Sequence, residues 1–188
     1  MNGLVSSEII FINDKKCILT SISDITEISL MKKVLHEIAM HDSLTQLPNR
    51  LLFHDRLEVA LSNAQRENKK VAVLFIDIDY LKFINDKYGH ATGDKVLIEV
   101  GNIFKRTIRK VDTVARFGGD EFVILLWDVG KKENVTKVIK AIREKLLNSI
   151  IVEGNEFKIS LSIGISLYPD DGNVMEALIS NVRGQSGW

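Results

Sequence analysis

The sequence predicts an α+β fold, with a mostly antiparallel sheet and helices packed against it. Three observations support this: long segments with apolar residues at helical spacing, short apolar runs between them, and a Gly-Gly turn that joins two of the runs. From residue 49 onward the predicted order is α–β–α–α–β–β–α–β–β–α. This mixed order with hairpins favours an antiparallel sheet, and a ferredoxin-like core is the natural candidate.

Composition limits the classes of function. The 188 residues are 45% apolar, and 25 Lys and Arg balance 25 Asp and Glu, so no basic field favours a nucleic-acid polymer as partner. The single cysteine, Cys17, excludes an internal disulfide and fits a reducing compartment. No apolar run reaches the ~18–20 residues of a membrane span, and the N-terminus lacks the pattern of a signal peptide. We therefore expect a cytoplasmic location.

Two β-type runs, residues 8–13 and 16–22, predict a hairpin with Asn13 and Asp14 in its turn. An isolated hairpin is only marginally stable, so we expect this one to pack on something or to belong to a domain that begins upstream. The strand–strand–Asp-Ile-Thr–Glu pattern resembles the end of a PAS sensory domain. That resemblance implies a C-terminal PAS remnant over residues 1–26.

A helix is predicted at residues 27–40, because its apolar residues share one face: Ile28, Met31, Leu35 and Ile38. Two interpretations remain open. The helix is either a signalling linker, over residues 27–41, that pairs with a second copy, or a helix packed on its own domain.

The next elements are a helix that runs to about residue 68 and a strand at residues 71–79. Asn49 is a good N-cap for this helix. The strand is almost entirely apolar, as expected of a central strand buried on both faces. Asp77 and Asp79 lie at its C-terminal end and point to the same side. Carboxylates at this position favour a ligand site, and the alternative is an ordinary surface turn.

The remaining elements follow from the same periodicities. Helices are predicted at residues 81–88, 93–110 and 131–148, and strands at residues 150–153 and 157–167. A last helix begins at residue 174, and a tail without periodicity follows at residues 182–188.

Residues 116–122 read as strand, Gly-Gly-Asp-Glu, strand, which predicts a tight β-hairpin. Gly118 and Gly119 tolerate positive φ and let a ligand approach the backbone. The two adjacent acids repel each other, and a solvated acidic turn is the alternative interpretation. If the hairpin neighbours the strand that ends at Asp77, the carboxylates converge. Converging oxygens suit Mg²⁺ bound together with substrate phosphates, and no P-loop or Ser-His-Asp pattern offers another chemistry.

Five stretches, in order and at ordinary spacing, together resemble the GGDEF family, the diguanylate cyclases. They begin with Asp-Ser-Leu-Thr and continue through Phe-Ile-Asp-Ile-Asp, Gly-Asp and Arg-Phe-Gly-Gly-Asp-Glu-Phe to Ser-Ile-Gly-Ile-Ser. Their positions are residues 42–50, 75–90, 93–94, 115–122, and 162–166 with 168–169. The chain is therefore identified as a member of this family, with a GGDEF domain over residues 42–181.

The resemblance implies an activity. Two domains face each other, each holds one GTP, and the two nucleotides condense into cyclic di-GMP with release of pyrophosphate. It implies that Mg²⁺ (or Mn²⁺) is held by Asp77, the Ile78 carbonyl and Asp120. Glu121 would assist in activating the attacking hydroxyl or in binding the metal. A homodimer is needed for this reaction.

The resemblance also implies the substrate contacts. Asn85 and Asp94 would read the guanine edge, which offers donors to a carboxylate and acceptors to an amide. Lys82 would lie near the phosphates and Asp79 beside the substrate. Gly118 and Gly119, beside the catalytic acids Asp120 and Glu121, would let the nucleotide lie close to the hairpin.

Arg109 and Asp112 lie three residues apart before the hairpin. Considered alone, such a pair is usually a surface ion pair worth under ~1 kcal/mol. In the family, Arg-x-x-Asp at this distance forms an inhibitory site for the product, which implies that Arg109 binds a phosphate or guanine and Asp112 a guanine. The second arginine of this site is left open, with Arg143 on the following helix as a candidate.

The C-terminal segment departs from the family pattern. After Asn181, the Lys and Arg that would meet the GTP triphosphate have no counterparts, which predicts weaker GTP binding. Together with the abrupt start, this suggests a fragment of a longer sensor–cyclase or a disrupted reading frame. Two hypotheses follow. The chain is a diguanylate cyclase, as its intact acids favour, or a module that binds cyclic di-GMP at Arg109 and Asp112, or GTP, without turnover, as its tail favours.

Overall fold

The computed structural model describes residues 3–12, 15–27, 30–31, 39–147, 150–172 and 178. The chain divides into two compact units, Met1–Ala39 and Met40–Trp188. The predicted tail, most of the last helix and most of the predicted linker helix lie outside the described residues. Of the linker, residues 27, 30–31 and 39 are helical.

The first unit contains an antiparallel hairpin of β1 (Gly3–Ile12) and β2 (Lys15–Asp24). The predicted hairpin is confirmed, and its strands are longer at their outer ends than the sequence indicated. Their register runs from Gly3 opposite Asp24 to Ile12 opposite Lys15. Apolar side chains such as Phe11 and Ile18, each 72% exposed, lie open on this hairpin.

The second unit is built on one four-stranded sheet. Its elements in order are α1 (Arg50–Glu67), β3 (Val71–Ile78), α2 (Leu81–Tyr88), α3 (His90–Thr107), β4 (Thr113–Gly118), β5 (Glu121–Leu126), α4 (Lys132–Leu147), β6 (Ile150–Val152), β7 (Asn155–Phe157) and β8 (Leu161–Tyr168). The strand order is β4-β5-β3-β8, and every neighbouring pair is antiparallel. The predicted α+β class is therefore confirmed, with the ferredoxin-like strand arrangement.

Strand β3 is central, and all eight of its residues are buried. Because successive side chains point to opposite faces, Val71, Val73 and Phe75 pack with the apolar stripe of α1, whereas Leu74 and Ile76 belong to the larger cluster formed with α3 and α4. Helices thus cover both faces of the sheet. The predicted cap of α1 is also confirmed, since the Asn49 side chain accepts hydrogen bonds from the first turn.

Two predicted boundaries are wrong. Helix α3 begins at His90 rather than residue 93, because the Gly93 N–H already bonds to the Gly89 carbonyl (3.2 Å). The strand predicted at residues 157–167 begins later, at Leu161 as β8; Phe157 instead ends β7, which pairs with β6 rather than joining the main sheet, and residues 158–160 lie in neither strand. Apolar and polar residues alternate without interruption across this break, so the periodicity carries no sign of the change of partner.

Within the described residues, none of the helices combines the length and the hydropathy needed to cross a bilayer.

Candidate functional site

The acidic residues meet at the C-terminal end of β3. The register places Asp77 opposite Glu121 of β5 on one side and opposite Ser162 of β8 on the other. The Ile78 N–H donates to the Asp120 carbonyl (3.3 Å), so the end of β3 lies against the hairpin tip. The predicted adjacency of this strand and the Gly-Gly-Asp-Glu hairpin is confirmed.

Asp77 lies in an unfavourable environment for a negative charge. Asp77 is buried, with only 7% of its surface exposed. Burial, followed by the negative charges of Asp120, Asp79 and Glu121, raises the pKa of Asp77 from 3.8 to about 6. Three neighbouring carboxylates therefore act on Asp77 at this end of β3, and a bound cation would relieve the repulsion.

A metal site here would need ligands from beyond the protein side chains. Within the described part of the chain, no three His, Cys, Asp or Glu side chains are placed to hold a metal ion by themselves. Mg²⁺, however, is usually bound by one or two carboxylates together with substrate phosphates and water. Asp77, Asp120 and the Ile78 carbonyl offer the oxygen donors that this ion prefers, so the residues present fit it.

Asp79 lies one residue beyond β3 and is held by β8. Its carboxylate accepts a hydrogen bond from the Ser162 hydroxyl (2.8 Å), and its N–H donates to the Ser160 carbonyl (3.1 Å). Tyr80 follows in the left-handed region (φ 62°) and turns the chain into α2. The charge of Asp79 reaches Asp77, but its side chain is directed to Ser162 in this arrangement.

The hairpin tip needs its glycines. Gly118 has φ 137° and Gly119 has φ 52°, both in a region that other residues rarely adopt. A Cβ atom at either position would meet no atom of the described chain within 4 Å. The glycines are therefore required by the backbone rather than by crowding, and the space beside this backbone is open.

An arginine that the sequence reasoning did not single out holds this tip. Arg116 of β4 is 8% exposed, and its Nε and Nη2 donate to the Gly119 carbonyl (3.1 and 2.7 Å). Its Nη1 donates to the Asp42 carboxylate (2.9 Å). Burial alone would raise the pKa of Asp42, but hydrogen bonds from Thr45 and Arg116 outweigh burial and lower the pKa. The sequence did offer one indication of this role, because Arg116 is the only charged residue in an otherwise largely apolar strand.

The predicted guanine-reading residues lie at the junction of α2 and α3. A Cβ atom on Gly93 would lie 1.9 Å from Oδ1 of Asn85, so the absent side chain leaves the space that the Asn85 amide occupies. Asp94 follows Gly93 directly and is exposed. Lys82 is exposed on α2. The structure thus places the Asn85 amide against Gly93, the residue before Asp94, and the need for Gly93 was not predicted.

Arg109 and Asp112 are not the surface ion pair that the residues alone suggested. The Asp112 side chain is 1% exposed, whereas that of Arg109 is 58% exposed. Asp112 accepts hydrogen bonds from the N–H, Nε and Nη2 of Arg109 and from the Trp127 N–H (2.9–3.0 Å). The hydrogen bond to Asp112 raises the pKa of Arg109. A groove of about 430 Å³ opens beside this pair.

Comparison with known proteins identifies relatives over most of the chain. Residues 39–185 match the family model described as diguanylate cyclase, GGDEF domain. The chain is 42% identical to diguanylate cyclase TpbB of Pseudomonas aeruginosa over 75% of this chain and 33% of that protein. It is 40% identical to bifunctional diguanylate cyclase/cyclic di-GMP phosphodiesterase MucR of the same organism over 83% of this chain and 23% of MucR. The chain therefore spans only a third or less of these relatives.

Solved structures show the same fold. The GGDEF domain of TpbB from P. aeruginosa superposes with a TM-score of 0.73 at 38% identity, covering 76% of this chain and 89% of that one. The GGDEF domain of DgcB from Caulobacter crescentus, solved in complex with cyclic di-GMP, has a TM-score of 0.71 at 25% identity. That match covers 79% of this chain and 88% of the DgcB chain.

Proposed function

Because this chain belongs to the GGDEF family, we propose that it is a diguanylate cyclase domain, which condenses two GTP molecules into cyclic di-GMP and releases pyrophosphate. The observation that carries the proposal is the placement of Asp77 opposite Glu121 and beside the Asp120 segment, at the C-terminal end of β3. A solvated acidic turn would have no need of a third, buried carboxylate on the neighbouring strand. The names of the relatives support the same reaction.

Substrate positioning falls to the helices and to the hairpin. The Asn85 amide and the Asp94 carboxylate hold the guanine edge at the junction of α2 and α3, where Gly93 makes room for the amide. The open backbone at Gly118 and Gly119 accepts the triphosphate. Lys82 is exposed on α2, and its charge attracts the phosphates.

The carboxylates Asp77, Asp79, Asp120 and Glu121 at the C-terminal end of β3, which we call the acidic edge, act on the reacting atoms. The 3′-hydroxyl of each GTP attacks the α-phosphate of the other, so little covalent chemistry falls to the protein. Asp77, Asp120 and the Ile78 carbonyl would hold Mg²⁺ (or Mn²⁺), which when bound neutralises phosphate charge and polarises the reacting phosphoryl group. Glu121 accepts the proton of the attacking hydroxyl or contributes a further oxygen.

A homodimer completes the reaction. One chain offers one guanine-reading pair, Asn85 with Asp94, and one acidic edge, whereas the product contains two guanosine halves. Two copies must therefore face each other, each with one GTP.

Nucleotide chromatography after incubation of the chain with GTP and MgCl₂ tests the proposal. We expect cyclic di-GMP from the unaltered chain and none from Asp120→Ala. Glu58→Ala is the matched control, since it removes an exposed carboxylate on α1, away from the acidic edge. Absence of cyclic di-GMP at high protein concentration would contradict the assignment of enzymatic activity to this chain.

A second candidate function is a module that binds cyclic di-GMP, or GTP, without turnover. The cationic groove beside Arg109 and Asp112 favours it, since the side chains that line this groove do not include Asp77, Asp120 or Glu121. Calorimetric titration of the chain with cyclic di-GMP checks this function independently of synthesis. Binding without any product from GTP would establish it in place of the enzyme.

A further inference from the structure

A short hairpin outside the main sheet packs against the junction of α2 and α3. In the described part of the chain, its strands β6 and β7 pair only with each other. Their buried apolar side chains belong to the larger core cluster: Ile150, Val152 and Phe157. The Phe157 ring meets the Tyr88 ring edge to face, with 5.1 Å between the ring centroids. Because Tyr88 ends the helix that carries Asn85, the hairpin supports that helix from the side.

The turn of this hairpin contacts the beginning of α3 through Glu153. The Glu153 carboxylate lies 3.2 Å from the Thr92 hydroxyl and forms an ion pair with the Lys95 side chain. The same hydroxyl lies 3.0 Å from a backbone carbonyl at the end of α2, so its one proton is shared between two acceptors. Thr92 and Lys95 are three residues apart and therefore lie on the same side of the helix. Between them stand Gly93 and Asp94, so Glu153 contacts the helical turn that carries a guanine-reading residue.

Glutamate is an unfavourable residue for the turn that it occupies here. Glu153 (φ 51°) and Gly154 (φ 80°) both have positive φ, as in a type I′ turn, whose first central position favours Asn, Asp or Gly. The contacts with α3 favour the ionised glutamate nevertheless. A hydrogen bond from Lys95, followed by the charge of Lys95 and a hydrogen bond from Thr92, lowers the pKa of Glu153. The turn therefore carries a residue that suits the helix better than it suits the hairpin.

We propose that Glu153 is a positioning residue for guanine recognition, and that it acts through Thr92 and Lys95 on the direction of the Asp94 carboxylate. The inference rests on the proposed binding of GTP, in which Asp94 reads the guanine edge. Glu153 and Lys95 are about half exposed, and ion pairs of this kind contribute little to stability. Two contacts on one helical turn nevertheless restrict its rotation, and the carboxylate that this turn carries is restricted with it.

The hairpin adds a second constraint to one that the junction already has. Gly93 lies against the Asn85 amide, which fixes how closely α2 and α3 approach. The contacts of Glu153 involve the residues on either side of this close approach. Removal of the glutamate side chain should therefore leave the approach of the helices intact and loosen only the turn that carries Asp94.

Steady-state kinetics of the full chain with GTP and MgCl₂ test this role through Glu153→Asn. Asparagine favours the turn, but it is one methylene shorter and uncharged, so the contacts with α3 are lost. We expect the KM for GTP to rise roughly three- to tenfold, the factor of one hydrogen bond, with a smaller change in kcat and an equal or higher unfolding temperature. Glu153→Gln keeps the length and an acceptor oxygen, so its KM should lie in between. Glu156→Gln, at an exposed position of the same hairpin, is the matched control.

NMR titration of the full chain with guanosine and inosine 5′-monophosphates (GMP and IMP) tests base recognition without turnover. Inosine lacks the 2-amino group, one of the donors that a carboxylate accepts from guanine. The unaltered chain should therefore bind GMP more tightly than IMP. Glu153→Asn should lose most of this preference, because the Asp94 carboxylate is no longer directed, whereas Glu156→Gln should keep it.

The outcomes separate this inference from the function on which it rests. An unchanged preference of Glu153→Asn for GMP overturns the positioning role, whatever its KM, and leaves the proposed synthesis standing. If the unaltered chain makes no cyclic di-GMP but distinguishes GMP from IMP, the enzyme assignment falls and the titration alone judges Glu153. If the unaltered chain binds the two monophosphates equally, guanine reading by Asp94 is overturned, and the role of Glu153 falls with it.

Discussion

At the scale of one residue, Asp77 shows that a group suited to binding a metal can lower the stability of the folded chain. The folded chain raises its pKa from 3.8 to about 6, so its ionised form is less favourable in the folded chain than in the unfolded one. The stabilisation that the folded chain gains from the preferred protonation of Asp77 is fully present below pH 3.8 and is lost as the pH rises through about 6. At neutral pH, therefore, the carboxylate that would bind a metal destabilises the protein that carries it.

Asp77→Asn should consequently stabilise the chain in the absence of nucleotide and metal. At pH 7.5 its free energy of unfolding should exceed that of the unaltered chain by about 1–3 kcal/mol, because each unit of pKa shift corresponds to roughly 1.4 kcal/mol. At pH 4 the two proteins should differ little, since Asp77 is then largely protonated. Urea denaturation at both pH values measures this, with Glu58→Gln as the control. An Asp77→Asn chain less stable at pH 7.5 would contradict the electrostatic account.

Arg116 fixes the hairpin tip through the shape of its guanidinium, which donates to the Gly119 carbonyl and to Asp42 at once. Lysine cannot reproduce this fork. Arg116→Lys should lower the free energy of unfolding by about 1–3 kcal/mol and raise the Mg²⁺ concentration needed for half-maximal product formation, because Asp120 follows Gly119 directly.

The two readouts for Arg116→Lys separate positioning from stability. Arg106→Lys is the control, since Arg106 pairs with Glu99 on the surface of α3 and its side chain is 63% exposed. Denaturant titration gives the stability, and product formation against Mg²⁺ gives the metal requirement. An unchanged Mg²⁺ requirement would show that the Arg116 contacts stabilise the fold without positioning Asp120.

At the scale of elements, α2 and α3 approach closely because Gly93 has no side chain. In a helix, Gly93→Ala should by itself stabilise by up to roughly 1 kcal/mol. The added Cβ, however, would lie 1.9 Å from the Asn85 Oδ1 and must displace that amide. We expect the KM for GTP to rise at least about tenfold, the loss of a base-reading hydrogen bond, with a smaller change in kcat. Steady-state kinetics measure the KM for GTP, with Asn102→Ala on the same helix as the control. An unchanged KM for Gly93→Ala would show that Asn85 does not contact the substrate.

The sequence predicts those elements whose patterns are local. The buried β3, the Asn49 cap and the Gly-Gly hairpin all follow from neighbouring residues, and each is confirmed. The bond between Arg116 and Asp42 joins residues 74 positions apart, so no local pattern indicates it. The prediction of one continuous strand over residues 157–167 fails for a related reason. Alternation of apolar and polar residues specifies a pleated strand but not the neighbour with which that strand pairs.

At the scale of the whole molecule, the proposed reaction requires two copies. The rate of product formation per chain should therefore rise with protein concentration until dimers saturate. Mixing the unaltered chain with an excess of Asp120→Ala should lower this rate, because most unaltered chains then face an inactive partner. Initial rates over a hundredfold range of concentration measure this, with Glu58→Ala in the mixture as control. A constant rate per chain, unaffected by Asp120→Ala, would contradict catalysis between two copies.

The strand order also governs when the site first exists during synthesis. Strand β3 is made first in the sheet yet lies at its centre, and its neighbour β8 is made last. The bond from Ser162 to Asp79 spans 83 residues. Sheets that rely on such distant pairings fold slowly, because long loops must close before their contacts form. A growing chain on the ribosome therefore carries the complete Gly-Gly-Asp-Glu hairpin well before β8 emerges, and the acidic edge cannot be completed until that last strand has docked.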